Sequence, residues 1–410
     1  MGKRICGLLL GLLCTSAIMG CGKAEETDPV NTEPSKVELV VWGAQEDAEL
    51  MNRIIDGFVE NYRGQADFEI VFEAQGESQC KNALLGGLEE GADVFTFADD
   101  QINALAAAGA LNPIENADEI RGRNLSSTTE AATINDRLYA YPLTADNGYF
   151  LYYNKKYITD EQAETLDGIL EAAAANGKLF TMDWSSAWYV YSFFGNTGMQ
   201  VGLNSDGITN YCTWNRTEGD IKGIDVAQAM LRIAENPGFV SCTDEEFLNG
   251  VKDGTVIAGV SGVWNSVQVT EAWGENTGAC KLPAYNCNGR LVQMASFSGC
   301  KLIGVNAYSE HPQWASRLAE WITNEQNQRL RFEMRGQGPS NTTVADSAEV
   351  RQAPAITALL EQSEFSQLQR IGGKFWDPVS RFAENMAAGN PSGRDLQEQL
   401  DEMAEGISAR

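Results

Sequence analysis

The hexapeptide VELVVW at residues 37–42 begins an alternation of strand and helix patterns from which the fold class can be predicted. Its β-branched side chains favour a buried strand, and Gly43 ends the run. Leu50, Ile54 and Phe58 then recur at the spacing of one helical face, which predicts an amphipathic helix directly after the strand. The folded part of the chain thus begins as a strand followed by a helix.

The same alternation continues for two more strands. Apolar residues alternate over 68–72, as in a half-buried strand, and a helical stretch follows over 80–88. DVFTF at 93–97 predicts a third strand, and the Ala-rich segment 101–108 predicts the next helix. A β-α-β-α-β order predicts a parallel sheet covered by helices, so the expected fold class is α/β.

Polar segments follow the first and third predicted strands. Because ligands of open α/β sheets bind beyond the carboxyl ends of the strands, residues 43–47 and 98–101 are candidate binding segments. Further along, two strand-like pieces over 138–154 surround a polar centre, and Pro142 places the first piece at a sheet edge or at the end of a strand. A Gly-rich break over 336–339 precedes a largely helical C-terminal region.

The N-terminal sequence, MGKRICGLLLGLLCTSAIMGC over residues 1–21, has the pattern of an export signal. Two basic residues precede an uncharged run over 5–19, as the charged region of a signal peptide precedes its apolar core. As a helix this run rises about 22 Å, short of the roughly 30 Å hydrocarbon core of a bilayer, so we expect no permanent transmembrane anchor. We predict a signal peptide over 1–20 and, from its polar composition, a flexible tether over 21–36.

The end of this signal, Ile18-Met19-Gly20-Cys21, resembles the lipobox of bacterial lipoproteins. In those proteins cleavage falls before the cysteine, whose thiol and new amine then carry lipid. The resemblance implies that Cys21 is lipidated and anchors the exported chain to the membrane. The alternative is an ordinary secretion signal that contains a chance cysteine.

Composition limits the partners of the chain. The 410 residues carry a net charge of -27, so nucleic acid and other polyanions are poor partners. A chain of this length favours two domains over one. An exported chain could oxidise the cysteines of its body, and the sequence leaves their pairing open. Those cysteines are Cys80, Cys212, Cys242, Cys280, Cys287 and Cys300.

The chain offers little of the chemistry of an enzyme. Its single histidine, His311, precedes Pro312 at a predicted helix start, and no G-x-S-x-G, H-E-x-x-H or Walker A spacing occurs. No C-x-x-C indicates a zinc or redox site. We therefore predict no enzymatic activity, no cofactor and no metal. The remaining alternative is a glycoside hydrolase, which needs only two carboxylates, here a pair among Asp99, Asp100 and Asp146.

Several segments, taken together and in order, resemble the family 1 extracellular solute-binding proteins of ABC importers, the maltose-binding-like group. The matching segments are VELVVW (37–42), GADVFTFADDQINALAAAGAL (91–111), DRLYAYPLTADNGYFLYYNKKYI (136–158), FLNGVKDGTVIAGVSGVWNS (247–266), GCKLIGVNAYSEHPQWASRLAEWITN (299–324) and GPSN (338–341). The resemblance implies a two-lobe periplasmic-binding-protein-like fold of type II, in which a hinge joins two α/β sandwiches. The implied bounds are 37–144 with 300–338 for the N-lobe, 148–298 with 341–410 for the C-lobe, and hinge crossings near 145–147, 299 and 339–340.

The same resemblance implies a function. We expect a monomeric bacterial lipoprotein on the extracellular face of the cell membrane that captures a neutral oligosaccharide, above all a malto-oligosaccharide, by hinge closure. It would deliver this ligand to the permease subunits of an ABC importer. A surface lectin or sensor with the same fold and no transporter is the alternative.

Sugar binding requires aromatic plates for the ring faces and planar polar groups for the hydroxyls. The resemblance assigns platform roles to Trp264, which follows a predicted strand and Gly262, and to Trp376. It places further contacts at Phe97, at the end of the third strand, and at Trp184 and Trp188. Core packing is the alternative for each of these rings, and the spacing of Trp184 and Trp188 also fits one helical face.

Three acids complete the predicted site. The resemblance matches Asp100 to a carboxylate of the cleft, although a helix cap would also suit it. Glu46 follows the first strand, where the family has polar sugar contacts, and its alternative is a solvated acid of a first helical turn. Asp146 lies at the first predicted crossing, where family members carry a cleft carboxylate.

Overall fold

The computed structural model describes residues 35–409, so the signal peptide, Cys21 and nearly all of the predicted tether lie outside the described residues. The strands, β1 to β18 in chain order, are Lys36–Gly43, Asp67–Ala74, Val94–Ala98, Thr133–Ile134, Arg137–Leu138, Tyr141–Thr144, Phe150–Asn154, Leu179–Thr181, Val201–Leu203, Asn210–Cys212, Phe239–Val240, Val256–Ser261, Thr277–Cys280, Ala284–Cys287, Arg290–Gln293, Ser296–Ser298, Lys301–Val305 and Ser366–Leu368. The helices, α1 to α18, are Ala48–Asn61, Cys80–Leu85, Ile102–Ala107, Ala117–Arg123, Ser126–Ala131, Asp160–Ala163, Leu166–Ala175, Ala187–Phe194, Gly223–Ala234, Asp244–Asp253, Ser266–Trp273, Pro312–Ile322, Glu325–Arg335, Thr342–Ala345, Ala348–Arg351, Pro354–Ser363, Trp376–Ala387 and Leu396–Ile407.

The first sheet has the strand order β2-β1-β3-β17-β6. β1 runs parallel to β2 and β3, which confirms the β-α-β-α-β prediction, and β17 returns antiparallel between β3 and β6. Pro142 lies on β6, an edge strand, where the missing N–H costs no ladder hydrogen bond. Val37 and Val41 of β1 share one buried cluster with Ile54 of α1, the helix predicted by its spacing. We call this body the N-lobe.

The second sheet repeats the arrangement with the order β11-β8-β12-β7-β13. β11, β8 and β12 are parallel, and β7 runs antiparallel between β12 and β13. Its buried cluster takes in most of the aromatic stretch 180–194, with Phe180, Phe193 and Phe194 among its members. We call this body the C-lobe; each lobe therefore has its own sheet and its own core.

The chain passes between the two sheets along three adjacent segments, which follow β6, β16 and α13. These segments hydrogen-bond to one another: the N–H of Ala145 donates to the carbonyl of Gly338 at 2.9 Å, and that of Asn147 donates to Gly299 at 3.2 Å. Thr144 and Pro339 also form an isolated bridge. Between residues 35 and 409, no helix is both long and apolar enough to cross a membrane.

Candidate functional site

A cleft of about 980 Å³ lies between the lobes, and the two walls differ in chemistry. The N-lobe wall is polar and comes from the segments after β1, β2 and β3; it includes Gln45, Glu46, Gln75, Glu77, Lys81 and Asp100. The C-lobe wall carries the aromatic rings; it includes Trp188, Asp244, Trp264, Gln369, Trp376 and Asp377. The N-lobe segments lie at the carboxyl ends of parallel strands, as predicted for a ligand site of an α/β sheet.

Trp264 sits in a 3₁₀ turn, Val263–Asn265, directly after β12. A Cβ on Gly262 would lie 2.0 Å from Cζ3 of this ring, so the indole rests against bare backbone that only glycine leaves open. The rings of Trp264 and Trp188 have centroids 5.7 Å apart and planes 36° apart. Trp376 begins α17 and completes the aromatic wall.

Asp244 holds the Trp264 indole in place. Trp264 Nε1 donates to Oδ2 of Asp244 at 3.2 Å, and the Tyr189 hydroxyl donates to the same oxygen at 3.0 Å. Ser261 Oγ donates to Oδ1 at 2.8 Å. Burial raises the pKa of Asp244, while these three hydrogen bonds oppose the rise. Asp244 is also the first residue of α10, where the helix dipole favours a carboxylate.

An ion pair lies in the N-lobe wall of the cleft. Lys301 Nζ lies 2.7 Å from the carboxylate of Glu77 and 5.8 Å from the centroid of the Trp264 ring. Burial lowers the pKa of Lys301, but the nearby carboxylates of Glu77, Asp47 and Asp146 outweigh burial, and the net shift is upward. The ammonium is therefore charged, and it links a strand of the N-lobe to a ring of the C-lobe.

Two acids of the N-lobe wall are set in different surroundings. Glu46 lies in the turn Gln45–Asp47, which is fixed because Arg335 Nε binds Asp47 at 2.9 Å and Arg331 binds its other oxygen. Asp100 lies in the turn Asp99–Gln101, where burial and the charge of Asp99 raise its pKa to about 7. Its Oδ1 is buried without a hydrogen-bond partner among residues 35–409.

Five of the eight predicted ligand residues line the cleft, namely Glu46, Asp100, Trp188, Trp264 and Trp376. The other three do not. Phe97 is fully buried in β3, which lies inside a sheet covered on both faces, and its ring packs 5.7 Å from Phe95. The N-lobe therefore contributes no aromatic ring at this position.

Trp184 is fully buried in the C-lobe, with ring centroids 4.7 Å from Phe239 and 5.3 Å from Phe193. It does not share a helical face with Trp188, because α8 begins only at Ala187. The turn before the helix sends Trp184 into the core and leaves Trp188 facing the cleft.

Asp146 is buried at the first crossing, and its Oδ2 accepts from the N–H of Gly338 on the third crossing. Its carboxylate thus ties two crossings together and lies outside the cleft lining. Asp99, a member of the carboxylate set considered for a hydrolase, is equally buried and accepts from the N–H of Cys300 at 3.1 Å. Of Asp99, Asp100 and Asp146, only Asp100 lines the cleft.

Sequence reasoning missed several cleft residues. Asp244 resembled an ordinary acid at a helix start, Gln369 lies in a short loop after β18, and Lys301 resembled the first residue of a strand. No local signal distinguishes them, because their position depends on which loops the two lobes bring together. No group of three or more His, Cys, Asp or Glu side chains could hold a metal ion within the described chain.

Comparisons with known proteins agree on one family. The family profile described as "Bacterial extracellular solute-binding protein" matches residues 57–358. A protein of Bacillus subtilis (strain 168) named galactooligosaccharide-binding protein is 26% identical over 423 residues, which cover 99% of this chain and 97% of that protein.

Solved structures agree with this match. One determined with acarbose has a TM-score of 0.80 at 25% identity and covers 91% of this chain and 99% of its own. The ligand-free maltodextrin-binding protein MalE1 of L. casei BL23 has a TM-score of 0.75 at 23% identity, covering 92% of this chain and 100% of that one. The two-lobe α/β fold predicted from the sequence is thereby confirmed.

Proposed function

Because this chain belongs to the bacterial extracellular solute-binding proteins, we propose that it captures a neutral oligosaccharide between its lobes and releases it unchanged. The observation that carries the proposal is the asymmetry of the cleft: three tryptophans on one wall face carboxylates and amides on the other. Sugar rings need both, an apolar plate for their C–H face and planar polar groups for their hydroxyls.

The energetics agree with a sugar of more than one ring. Covering about 50 Å² of each indole face contributes roughly 1 kcal/mol per ring. Three plates and several hydrogen bonds to hydroxyls would then reach the ~8 kcal/mol of micromolar binding. The N-lobe polar wall, with Glu46 and Asp100, supplies acceptors for those hydroxyls.

The charge of the cleft argues for a neutral ligand. Its lining includes the acids Glu46, Glu77, Asp100, Asp244 and Asp377. The amines of the lining are Lys81 and Lys301, and Lys301 is already paired with Glu77. A uronate or a phosphorylated sugar would bring its charge against this excess of carboxylates and would bind less tightly.

The three adjacent crossings support a hinge about which the lobes close. We take 145–147, 299 and 339–340 as the hinge between an N-lobe of 37–144 with 300–338 and a C-lobe of 148–298 with 341–410. A sugar that touches both walls favours the closed form, because only that form makes both sets of contacts.

Export and delivery complete the proposal. The leader and lipobox support a chain lipidated at Cys21 and held at the extracellular face of the membrane. The family is that of ABC importers, so the loaded protein would pass its sugar to permease subunits. A lectin or sensor without a transporter would share the fold and the cleft, and a transport assay in cells that lack the gene separates the two.

The ligand is tested by isothermal titration calorimetry against malto-oligosaccharides first, since structures of similar fold bind them. Galacto-oligosaccharides come next, because the named Bacillus relative aligns along almost its whole length. A galacturonate oligomer is the matched acidic control. Micromolar binding of one neutral series, with no binding of the uronate, supports the proposal, whereas no binding of any neutral oligosaccharide contradicts it.

Turnover is tested in the same samples. Chromatography of the oligosaccharide after prolonged incubation should return it unchanged. New, shorter products would favour a glycoside hydrolase and would end the binding-protein proposal.

A further inference from the structure

We propose that Lys301 and Glu77 form a specificity-determining pair that reads two adjacent hydroxyls of the sugar ring stacked on Trp264. Such a pair selects rings that keep a free vicinal diol inside the chain, as 4-linked and 6-linked hexoses do and 3-linked hexoses do not. The inference rests on the proposed function, because it takes Trp264 as a sugar platform, and it adds the linkage class of the ligand.

The pair lies in the N-lobe wall, where both side chains line the cleft. Lys301 is the first residue of β17, and its backbone pairs with Ala98 of β3 and Thr144 of β6. Glu77 begins a 3₁₀ turn, Glu77–Gln79, after β2. The Lys301 and Glu77 side chains are only 10% and 15% exposed, respectively. Since both line the cleft, we take this remaining surface as the part that a bound ligand contacts.

A buried glutamine fixes the turn that carries Glu77. Gln101 Nε2 donates to the backbone carbonyl of Glu77 at 2.8 Å, and Gln101 Oε1 accepts from the N–H of Lys81 at 2.9 Å. Gln101 therefore joins the turn after β2 to the turn after β3. Lys301 is held by a strand that pairs on both sides, so both members of the pair are pre-organised, and this lowers the cost of ordering them when a ligand binds.

The pair keeps hydrogen-bonding capacity for a ligand. An ammonium has three N–H donors and a carboxylate has about four acceptor positions, so one mutual contact leaves both groups able to bind again. Two hydroxyl oxygens in a gauche arrangement on neighbouring ring carbons lie about 3 Å apart, close to the 2.7 Å between Lys301 Nζ and Glu77 Oε2. A vicinal diol can therefore lie alongside the pair, accepting from Lys301 through one oxygen and donating to Glu77 through the other.

Trp264 decides which sugar ring meets the pair. Lys301 Nζ lies 5.8 Å from the centroid of this indole. Carbon atoms in van der Waals contact are about 3.5–4.0 Å apart, so a sugar ring resting on the indole lies closer to it than the ammonium does and brings its rim of hydroxyls beside Nζ. The indole thus holds the face of the sugar ring, while the pair holds one edge of it.

That edge must carry two free hydroxyls on neighbouring carbons. A 4-linked hexose inside a chain keeps the hydroxyls of carbons 2 and 3, whereas a 3-linked hexose keeps those of carbons 2 and 4, which are not neighbours. A 3-linked ring on Trp264 would leave one member of a largely buried charged pair without its hydroxyl. Sites built to hydrogen-bond a hydroxyl discriminate strongly against ligands that lack it, so the pair favours 4-linked or 6-linked oligosaccharides.

The test compares maltotetraose with nigerotetraose, two neutral chains of four α-linked glucoses that differ only in being 4-linked or 3-linked. The 4-linked and 3-linked β-galactotetraoses are compared in the same way. In calorimetry the native protein should bind the 4-linked member of whichever series it takes about tenfold more tightly, since a hydrogen bond to a charged group is at stake. In Lys301→Met the affinity for the 4-linked member should fall about tenfold and that for the 3-linked member should change little, so the preference disappears.

A matched control separates recognition from a loss of structure. Arg123 pairs with Glu320 at 2.6 Å in the N-lobe, and neither lines the cleft. Arg123→Met should therefore lower stability in urea unfolding and keep the native linkage preference. Lys301→Met leaves the Glu77 carboxylate unpaired, so Lys301→Met with Glu77→Leu, which removes both charges, is made beside it and should fold if the single variant does not. The double variant should also lack the preference.

The outcomes distinguish the pair from the proposed function. If the native protein binds both linkages equally or prefers the 3-linked chain, the pair is overturned as a specificity determinant while the proposed function stands. A 4-linked preference that Lys301→Met or the double variant retains has the same meaning. Failure of every neutral oligosaccharide to bind the native protein would instead contradict the proposed function, and the pair with it.

Discussion

Replacing Trp264 by alanine should weaken oligosaccharide binding by about tenfold or more. The ring offers one face to the cleft while the other lies against Gly262 and beside Trp188. Losing about 50 Å² of covered ring face removes roughly 1.3 kcal/mol, and 1.4 kcal/mol corresponds to a tenfold change in Kd. Displacement of Lys301, which lies over the ring, adds to the loss.

The same variant should also lose some stability. Asp244 keeps its bonds from Tyr189 and Ser261 but loses the one from the indole, which costs about 1 kcal/mol. Trp264→Phe should show this stability loss with a smaller loss of affinity, because phenylalanine keeps an aromatic plate and lacks the N–H.

Calorimetry and urea unfolding of the two variants, beside Trp314→Ala, separate these effects. Trp314 packs on Phe58, Tyr62 and Phe68 in the N-lobe, away from the cleft, so its removal should lower stability with native affinity. If Trp264→Ala is folded and binds within about twofold of the native protein, the platform role of this ring is refuted, since the lost ring face alone predicts a larger change.

Gly262, the buried ion pairs of Asp47 and the free cysteines each give a further testable prediction. Gly262→Ala should lower affinity as Trp264→Ala does, because its Cβ would displace the ring, and combining the two should cost no further affinity in calorimetry. Asp47→Asn should destabilise the protein by about 3–5 kcal/mol in urea unfolding at pH 7, because Arg331 and Arg335 lose their buried partner. Burial alone would raise the pKa of Asp47, but Arg331, Lys301 and Arg335 hold it below its usual value. The stabilisation by the Asp47 carboxylate is therefore complete above about pH 4 and is lost as the pH falls through the lowered pKa. The difference in unfolding free energy between the native protein and Asp47→Asn should shrink at such low pH, and a difference that stays constant down to pH 2 would contradict the ion pair. The six cysteines of the folded chain are free thiols, namely Cys80, Cys212, Cys242, Cys280, Cys287 and Cys300. Alkylation under denaturing conditions followed by peptide mapping should therefore label all six, and any disulfide-linked peptide would contradict this.

How well the sequence predicted which residues line the cleft varied with how local the signal was. Trp264 and Trp376 were predicted from the family resemblance, Trp264 also from its place after a strand and Gly262, and both rings line the cleft. Trp184 and Trp188 lie four residues apart and resemble one helical face, yet the helix begins between them, so one ring is core and the other is cleft. Element boundaries of this kind depend on packing that periodicity does not record.

Buried acids were the hardest to assign. Asp146 and Asp244 are both buried carboxylates with raised pKa values, but Asp146 binds the third crossing while Asp244 orients a cleft tryptophan. In the sequence each is an acid beside a helix start or a turn. The partner of Asp146, Gly338, lies 192 residues away in the chain, and the partner of Asp244, Trp264, lies 20 residues away.

Periodicity and strand order in the sequence were enough to predict the α/β class, the succession of strands and helices in the first sheet, and the segments that lie at the carboxyl ends of its parallel strands. These depend on periodicity and on the chain direction of successive strands, which are local properties. Only the packing of the two lobes settles which rings face the cleft, that the aromatic wall belongs to the C-lobe, and that Arg370 binds Asp99. Those contacts join segments roughly 270 residues apart, and two lobes must fold and meet before they exist.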